Sequence, residues 1–352
     1  MSGKNRLEEV RKLQITGGST YIVSLPKRWV EQVGLQRGSA VNIVQMDDLT
    51  LCIQPGGAKV EDRVRRAVIT ITDSEEVTPK SLIRRLVSAY LVGYNIIQFR
   101  NPDRRIETSQ RYAVKDFTRK KLVGTEILSD LPRELTLQVL LSHTELSVKD
   151  ALRRMSIIAA SMHRDAIITL RMDDAQIARE IISMDDEVDR FSLYIIRLLK
   201  AAVSDSRVLQ EIGLRTPREC LGYRLITKSV ERMADHAVNI AQDSLALTLS
   251  TLNEEILDEL KKMSESALSV FEDAVDALFD GDYASADGVF NMAEETRGME
   301  AGVIQKIIKN APPEDVPALR LIIESIMRTS EYGSDIAETV LNMTIHTELQ
   351  EA

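Results

Sequence analysis

Two cysteines in 352 residues, Cys52 and Cys220, are too few for a disulfide framework or a zinc ribbon, and isolated thiols fit a reducing compartment. Aromatic residues are equally scarce, at 4% with a single Trp, so aliphatic and Met side chains must build the cores, which suits packed helices. No run reaches the roughly 18 apolar residues that a membrane-spanning helix needs, and the opening MSGKNRLEEVRKLQ holds no apolar signal region. Neither G-x-S-x-G nor H-E-x-x-H occurs, neither cysteine has a triad-like neighbourhood, and no glycine-rich phosphate loop is present. These absences predict a cytoplasmic protein that does not insert into membranes and is not an enzyme.

Charge is present but uneven. The formal net charge is −9, yet residues 1–59 carry eight Lys/Arg against five Asp/Glu, and residues 60–150 carry sixteen against thirteen. The remainder, with 21 basic and 36 acidic residues, is at −15. Such asymmetry predicts an anionic partner for the first part and a cation or basic surface for the last.

Three kinds of pattern follow one another along the chain. RKLQI (11–15) and TYIVS (20–24) are strand-like runs around the turn signal Thr16-Gly17-Gly18-Ser19, and Pro26 and Gly34 bracket a short helix. AVNIVQM and LTLCIQP form a hairpin around Asp47-Asp48, and Pro55-Gly56-Gly57 closes the unit. So few residues of short strand bury little core alone, which predicts an interlocked homodimer or a higher oligomer. In residues 60–150, RAVITI, NIIQFR and ELTLQVLL read as strands, and TPKSLIRRLVSAYLVG and IETSQRYAVKDFTRKK as helices, giving a small α/β domain. From about residue 146 the pattern is helical to the end, and it repeats. A shift of 108 sets Met155 on Met263, Ala159 on Ala267, Asp165 on Asp273, Leu170 on Leu278, Asp174 on Asp282, Ala178 on Ala286 and Glu187 on Glu295. A shift of 100 sets Glu231 and Asp235 on Glu331 and Asp335, the first copy having the longer connection before its third helix. The fold class expected is therefore multi-domain. A small β-rich unit (1–58) and an α/β linker domain (59–142) precede two all-α three-helix repeats (143–250 and 251–352).

The helical repeats hold the residues of chemical interest. Asp185/Asp189 and Glu231/Asp235 are i,i+4 pairs on the second and third helices of the first repeat, and like charges at that spacing destabilise an isolated helix by about 0.2–0.5 kcal/mol. Either these faces are solvated beside Arg190 and Arg232, or a cation sits between them. Four facing carboxylates are a standard way to hold a transition metal in a helical bundle, and His236 or Asn239 could add a donor. In the second repeat Asp185 and Asp189 become Ala293 and Arg297, so a site at Glu331 and Asp335 should be weaker or absent. The remaining histidines, His143, His163 and His346, have no ligand-spaced partners and read as ordinary core or surface residues.

Two stretches carry a resemblance. RKLQITGGSTYIVSLPKRWVEQVGLQRGSAVNIVQMDDLTLCIQP resembles the SpoVT-AbrB swapped-hairpin DNA-binding domain, and VERMADHAVNIAQ, SEYGSDIAETV and IISMDDEVDRF resemble the tandem bundles of PhoU proteins. Together they are similar to an archaeal PhoU-type phosphate uptake regulator with an N-terminal AbrB-like domain. The resemblance covers about residues 8–55 and 146–346. It implies a phosphate-responsive transcriptional regulator whose partners are promoter DNA and a phosphate ABC transporter or its signalling proteins. It implies also an iron or zinc cluster held by E/D-x-x-x-D motifs, kept here at Asp185, Asp189, Glu231 and Asp235, with only Glu331 and Asp335 in the second copy. Carboxylate oxygens admit Mn and Mg as well. Arg11, Lys12, Lys27, Arg28 and Arg37 are the residues expected to meet DNA phosphates, doubled in a dimer. The rival reading is an adaptor for transporter or signalling components whose N-terminal unit only dimerises. A di-metal enzyme would need E-x-x-H ligands that the chain lacks.

Overall fold

The computed structural model describes residues 9–45, 49–56, 64–72, 77–140, 146–172, 175–248 and 252–349. The Asp47-Asp48 turn, Gly57, His143, Asp174 and the three domain boundaries expected near 58, 142 and 250 lie outside the described residues. The chain divides into two compact units, Met1–Arg63 and Val64–Ala352.

In the first unit, β1 (Gln14–Thr16) and β2 (Thr20–Ile22) pair antiparallel around Gly17 and Gly18, whose φ of 62° and 83° lie in the left-handed region that glycine adopts freely. The helix α1 (Lys27–Gln32) starts directly after Pro26, and a second hairpin joins β3 (Val41–Gln45) to β4 (Leu51–Pro55). Alternation along β1 and β2 places Leu13, Ile15, Tyr21 and Val23 on one face, and they are exposed by 68%, 64%, 68% and 45%. On the second hairpin Ile43 and Leu51 share a face and are exposed by 60% and 65%. No described residue of this unit is buried. Two hairpins and one turn-and-a-half of helix cannot cover their own apolar faces.

The second unit begins with a four-stranded sheet of order β5-β6-β8-β7. β5 (Arg66–Thr70) and β6 (Ile96–Arg100) are parallel across α2 (Pro79–Leu91), and β8 (Glu134–Val139) lies antiparallel to both β6 and β7 (Thr125–Leu131). Helix α3 (Thr108–Lys121) connects β6 to β7. Leu82, Leu86, Tyr90, Ile97, Phe99, Val114, Leu135 and Leu137 form the core. β7 has no counterpart in the sequence reading. TEILSDL carries four polar residues, and a bulge between Ile127 and Ser129 breaks the alternation that marks a strand.

The helical region contains α4 (Val148–Ile168), α5 (Ala175–Ala202), a short α6 (Ser206–Glu211) in the longer connection, and α7 (Glu219–Ser244). Its second copy is α8 (Glu254–Asp280), α9 (Tyr283–Asn310) and α10 (Val316–Thr344). Aligned positions share their environment: Met155 and Met263, Ala159 and Ala267, and Ala178 and Ala286 are all buried. The repeats meet where α10 packs on α7 and α4 on α8. Among the described residues no helix is long and apolar enough to cross a membrane.

The α/β domain is seated on the first repeat. Both α2 and α3 contact α5, and Leu193 of α5 packs against the sheet-domain core. Arg197 of α5 is 6% exposed, donates to the backbone oxygen of Tyr90 at the end of α2, and lies 4.8 Å over the Tyr90 ring. The buried guanidinium adds a second donor to a carbonyl that already accepts from Gly93 N–H, and it complements the dipole at the end of α2.

Candidate cation site and nucleic-acid interface

The two acidic pairs do face one another. On α5, Asp185 and Asp189 lie one turn apart with Asp186 beside them, and on α7 Glu231 and Asp235 do the same. Ser192 Oγ donates to Glu231 Oε2 at 3.2 Å across the helix pair, and Lys228 Nζ donates to Glu231 Oε1 at 2.8 Å. Burial pushes the Asp185 carboxyl up to about 6, helped by the charges of Asp189 and Asp235 and opposed by Lys121. Asp235 is raised too, by burial and then by Glu231 and Asp189. Burial is the larger cause in both, and the added repulsion shows that carboxylates of α5 and α7 lie near enough to feel one another.

A cation from the α/β domain pairs with the α5 carboxylates. Lys121, last residue of α3, sends its Nζ to 2.5 Å from Asp186 Oδ1, 2.7 Å from Asp189 Oδ2 and 4.0 Å from Asp185 Oδ2, with its side chain only 15% exposed. Burial alone would lower its pKa, but the hydrogen bonds to Asp186 and Asp189 win and hold it above the usual lysine value. Asp185 Oδ1 is buried and accepts no hydrogen bond. The donor set, all carboxylate oxygen with one acceptor left over, fits a hard or borderline metal ion. As the side chains stand, no group of three His, Cys, Asp or Glu among the described residues is arranged to hold an ion. Asp186, Lys121 and Lys228 are the residues that sequence reasoning missed, although Lys228 stands three positions before Glu231. The adjacent Asp186 was visible in MDDEVD, whereas a lysine 64 positions away leaves no local signal.

The other sequence candidates are distributed differently. His236 turns to α10, where Nδ1 is 3.2 Å from Ser325 Oγ and Nε2 is 3.4 Å from Tyr332 OH, so it ties the repeats together instead of adding a donor to the carboxylates. In the second repeat Glu331 is paired with Arg328 at 2.6 Å. Asp335 is raised by burial and by Glu338 and Glu331, with Arg232 opposing. Glu331 also lines a cleft of about 590 Å³ together with Glu300, Arg320, Glu324 and Arg328. Position 293 is alanine and position 297 arginine, so α9 does not repeat the α5 carboxylates.

His163 is wholly buried between the repeats, its Nε2 2.8 Å from Ser264 Oγ and its Nδ1 3.3 Å from Thr329 Oγ1. Burial, then Arg164, push its pKa down to about 4. The unfolded chain therefore takes up this proton near 6.5 and the folded one only near 4. Stability supplied by neutral His163 is complete above about pH 6.5 and declines as pH falls toward 4, by up to about 1.4 kcal/mol per pH unit. Asp185 works oppositely in the same window, because its folded form binds a proton near 6 before the unfolded one does. Urea unfolding of wild type and His163→Gln at pH 7.5 and pH 5 separates the two, and wild type should lose more of its stability between those values. Parallel losses would refute this role for His163.

In the N-terminal unit, Arg11, Lys12, Lys27, Arg28 and Arg37 are all exposed. Arg11 pairs with Glu9, and Lys27 stands 3.7 Å from Glu31. Lys27 and Arg28 open α1, Arg11 and Lys12 precede β1, and Arg37 follows the helix. Exposed cations on a small scaffold can contact phosphates but carry no base-specific information by themselves.

Two family models match separate stretches of the chain. The PhoU domain family matches residues 152–244 and 260–340, and the family described as antidote–toxin recognition MazE, bacterial antitoxin, matches residues 14–60. A phosphate-specific transport system accessory protein PhoU homolog 1 from Thermotoga maritima is 24% identical over 219 residues, covering 59% of this chain and 86% of that protein. A phosphate-specific transport system accessory protein PhoU homolog from Borreliella burgdorferi is 30% identical over 142 residues, covering 39% of this chain and 61% of that protein. The crystal structure of the phosphate transport system regulatory protein PhoU from Streptococcus pneumoniae matches at 20% identity with a TM-score of 0.49, covering 58% of this chain and 96% of that one. The chain is thus a PhoU-domain protein that carries a MazE-type antitoxin domain, of the AbrB-like swapped-hairpin kind, ahead of its helical repeats.

Proposed function

We propose that this protein is a phosphate-responsive regulator that acts on DNA, with a dimeric N-terminal head binding promoter duplex and the PhoU repeats receiving the signal of phosphate supply. The observation that carries this reading is the presence in one chain of two PhoU domains and a MazE-type domain. Relatives of the repeats bear the description of phosphate-specific transport accessory proteins, and the partner expected for the bundle is a phosphate transporter or its signalling proteins. The role is regulatory and not enzymatic. Exposed cations supply the electrostatic part of duplex binding, and the uncovered apolar faces of the two hairpins supply the surface for dimerisation.

The test is transcription of the phosphate-transport genes in cells with and without this protein, at high and low phosphate. Loss of the protein should change their level in one of the two conditions. An unchanged level in both, with altered phosphate uptake, would favour the adaptor that binds transporter components and uses its N-terminal unit only to dimerise.

A further inference from the structure

We infer that Lys121 is the resident cation of the first-repeat carboxylate site, and that a divalent metal ion enters the site only by displacing Lys121 and loosening the end of α3 from α5. Two observations support this. The Lys121 ammonium lies within 4.0 Å of Asp185, Asp186 and Asp189 and is nearly shielded from solvent, so it stands where a shared ion would draw on the same oxygens. Asp185 Oδ1 is buried without a hydrogen-bond partner, leaving an acceptor that an ammonium with three protons on one stem does not reach.

Lys121 differs from its neighbours on the same turn. Arg119, Lys120 and Lys121 all complement the C-terminal end of the α3 dipole, but Lys120 pairs only with Asp116 of its own helix at 3.1 Å. Of these three, Lys121 is the one whose ion pairs reach the acidic face of α5. Metal and lysine therefore compete for one set of charges, and occupancy by metal alters how the α/β domain is held on the repeat. The binding state of the first repeat would thus change the seating of the α/β domain through α3. This inference does not depend on the transcriptional reading, since it is tested without DNA or phosphate.

The experiment is titration of the full-length protein with Mn²⁺ and Zn²⁺, alongside Lys121→Met, which keeps the aliphatic stem and removes the ammonium. Lys121→Met should bind at least tenfold more tightly than wild type, Lys120→Met should bind like wild type, and adding Glu231→Gln and Asp235→Asn to Lys121→Met should abolish the gain. Because Lys121→Met leaves the carboxylates uncompensated, it could fold poorly without metal. Wild type supplies the independent measurement, hydrogen exchange at residues 116–121, which should accelerate on adding saturating Mn²⁺. Equal affinity of wild type and Lys121→Met, metal binding with unchanged exchange at the end of α3, or absence of binding by both forms at millimolar metal would each overturn the inference.

Discussion

The full-length protein carrying Ile15→Asp and Tyr21→Asp is expected to elute at a lower oligomeric state than wild type by light scattering. Both residues lie on the same face of the first hairpin, opposite one another in the β1–β2 register, and each is more than 60% exposed. Leu13 and Val23 extend that face. Covering four large apolar side chains contributes about 1.5–3 kcal/mol apiece, enough to hold a dimer after the entropy of association is set against it. A charge in that contact would be desolvated without a partner, which costs more than the burial it replaces. The helical repeats carry their own core, so the substitutions should leave the melting of the second unit in place. An unchanged mass would show that the bundle or another surface makes the oligomer.

The second large effect is on duplex binding and its dependence on salt. Each phosphate contact releases condensed counterions, and log K falls with log salt by about 0.9 per contact. A dimer presents Arg11 and Lys12 twice. Replacing both by Ala should weaken binding at low salt and flatten the slope by up to about 3.6, the value for four lost contacts. The same loss should appear on specific and unrelated duplexes, because contacts of this type position the protein without reading bases. Arg11 already pairs with Glu9, so the complex must exchange that partner for a phosphate, and Lys12 should account for more of the effect than Arg11. An identical slope for wild type and variant would remove these residues from the interface.

The parts of the fold that sequence alone revealed are those whose periodicity is uninterrupted. Long amphipathic helices with matched Met, Ala and acidic positions made the tandem repeat visible, and the buried pairs Met155/Met263 and Ala178/Ala286 show why the match exists. Short local signals also sufficed for the two N-terminal hairpins, where Gly17 and Gly18 mark the first turn. β7 escaped because its bulge interrupts a two-residue period within only seven residues. α6 escaped as an element of its own, since six residues in a connection cannot show a helical period.

The candidate site was legible in halves. Charge spacing located Asp185, Asp189, Glu231 and Asp235, because repulsion at i,i+4 is a cost visible without coordinates. What neutralises Asp185 and Asp189 was not, since Lys121 reaches the site only through the docking of α3 on α5, a long-range contact with no sequence period. His236 looked like an added donor because it follows Asp235 directly, yet successive helical residues point about 100° apart, and it meets Ser325 and Tyr332 instead. His163 read as an ordinary core residue, and its burial agrees. Its hydrogen bonds to Ser264 and Thr329 were beyond sequence reasoning because both partners lie in the other repeat.

The central claim, that one chain joins a DNA-binding head to phosphate-sensing PhoU repeats, is tested most directly by measuring its occupancy on chromosomal DNA upstream of the phosphate-transport genes before and after phosphate withdrawal. The account predicts enrichment there that changes with phosphate and disappears in the Arg11→Ala, Lys12→Ala protein. Absence of enrichment at both phosphate levels, with the protein present at normal amounts, would contradict it.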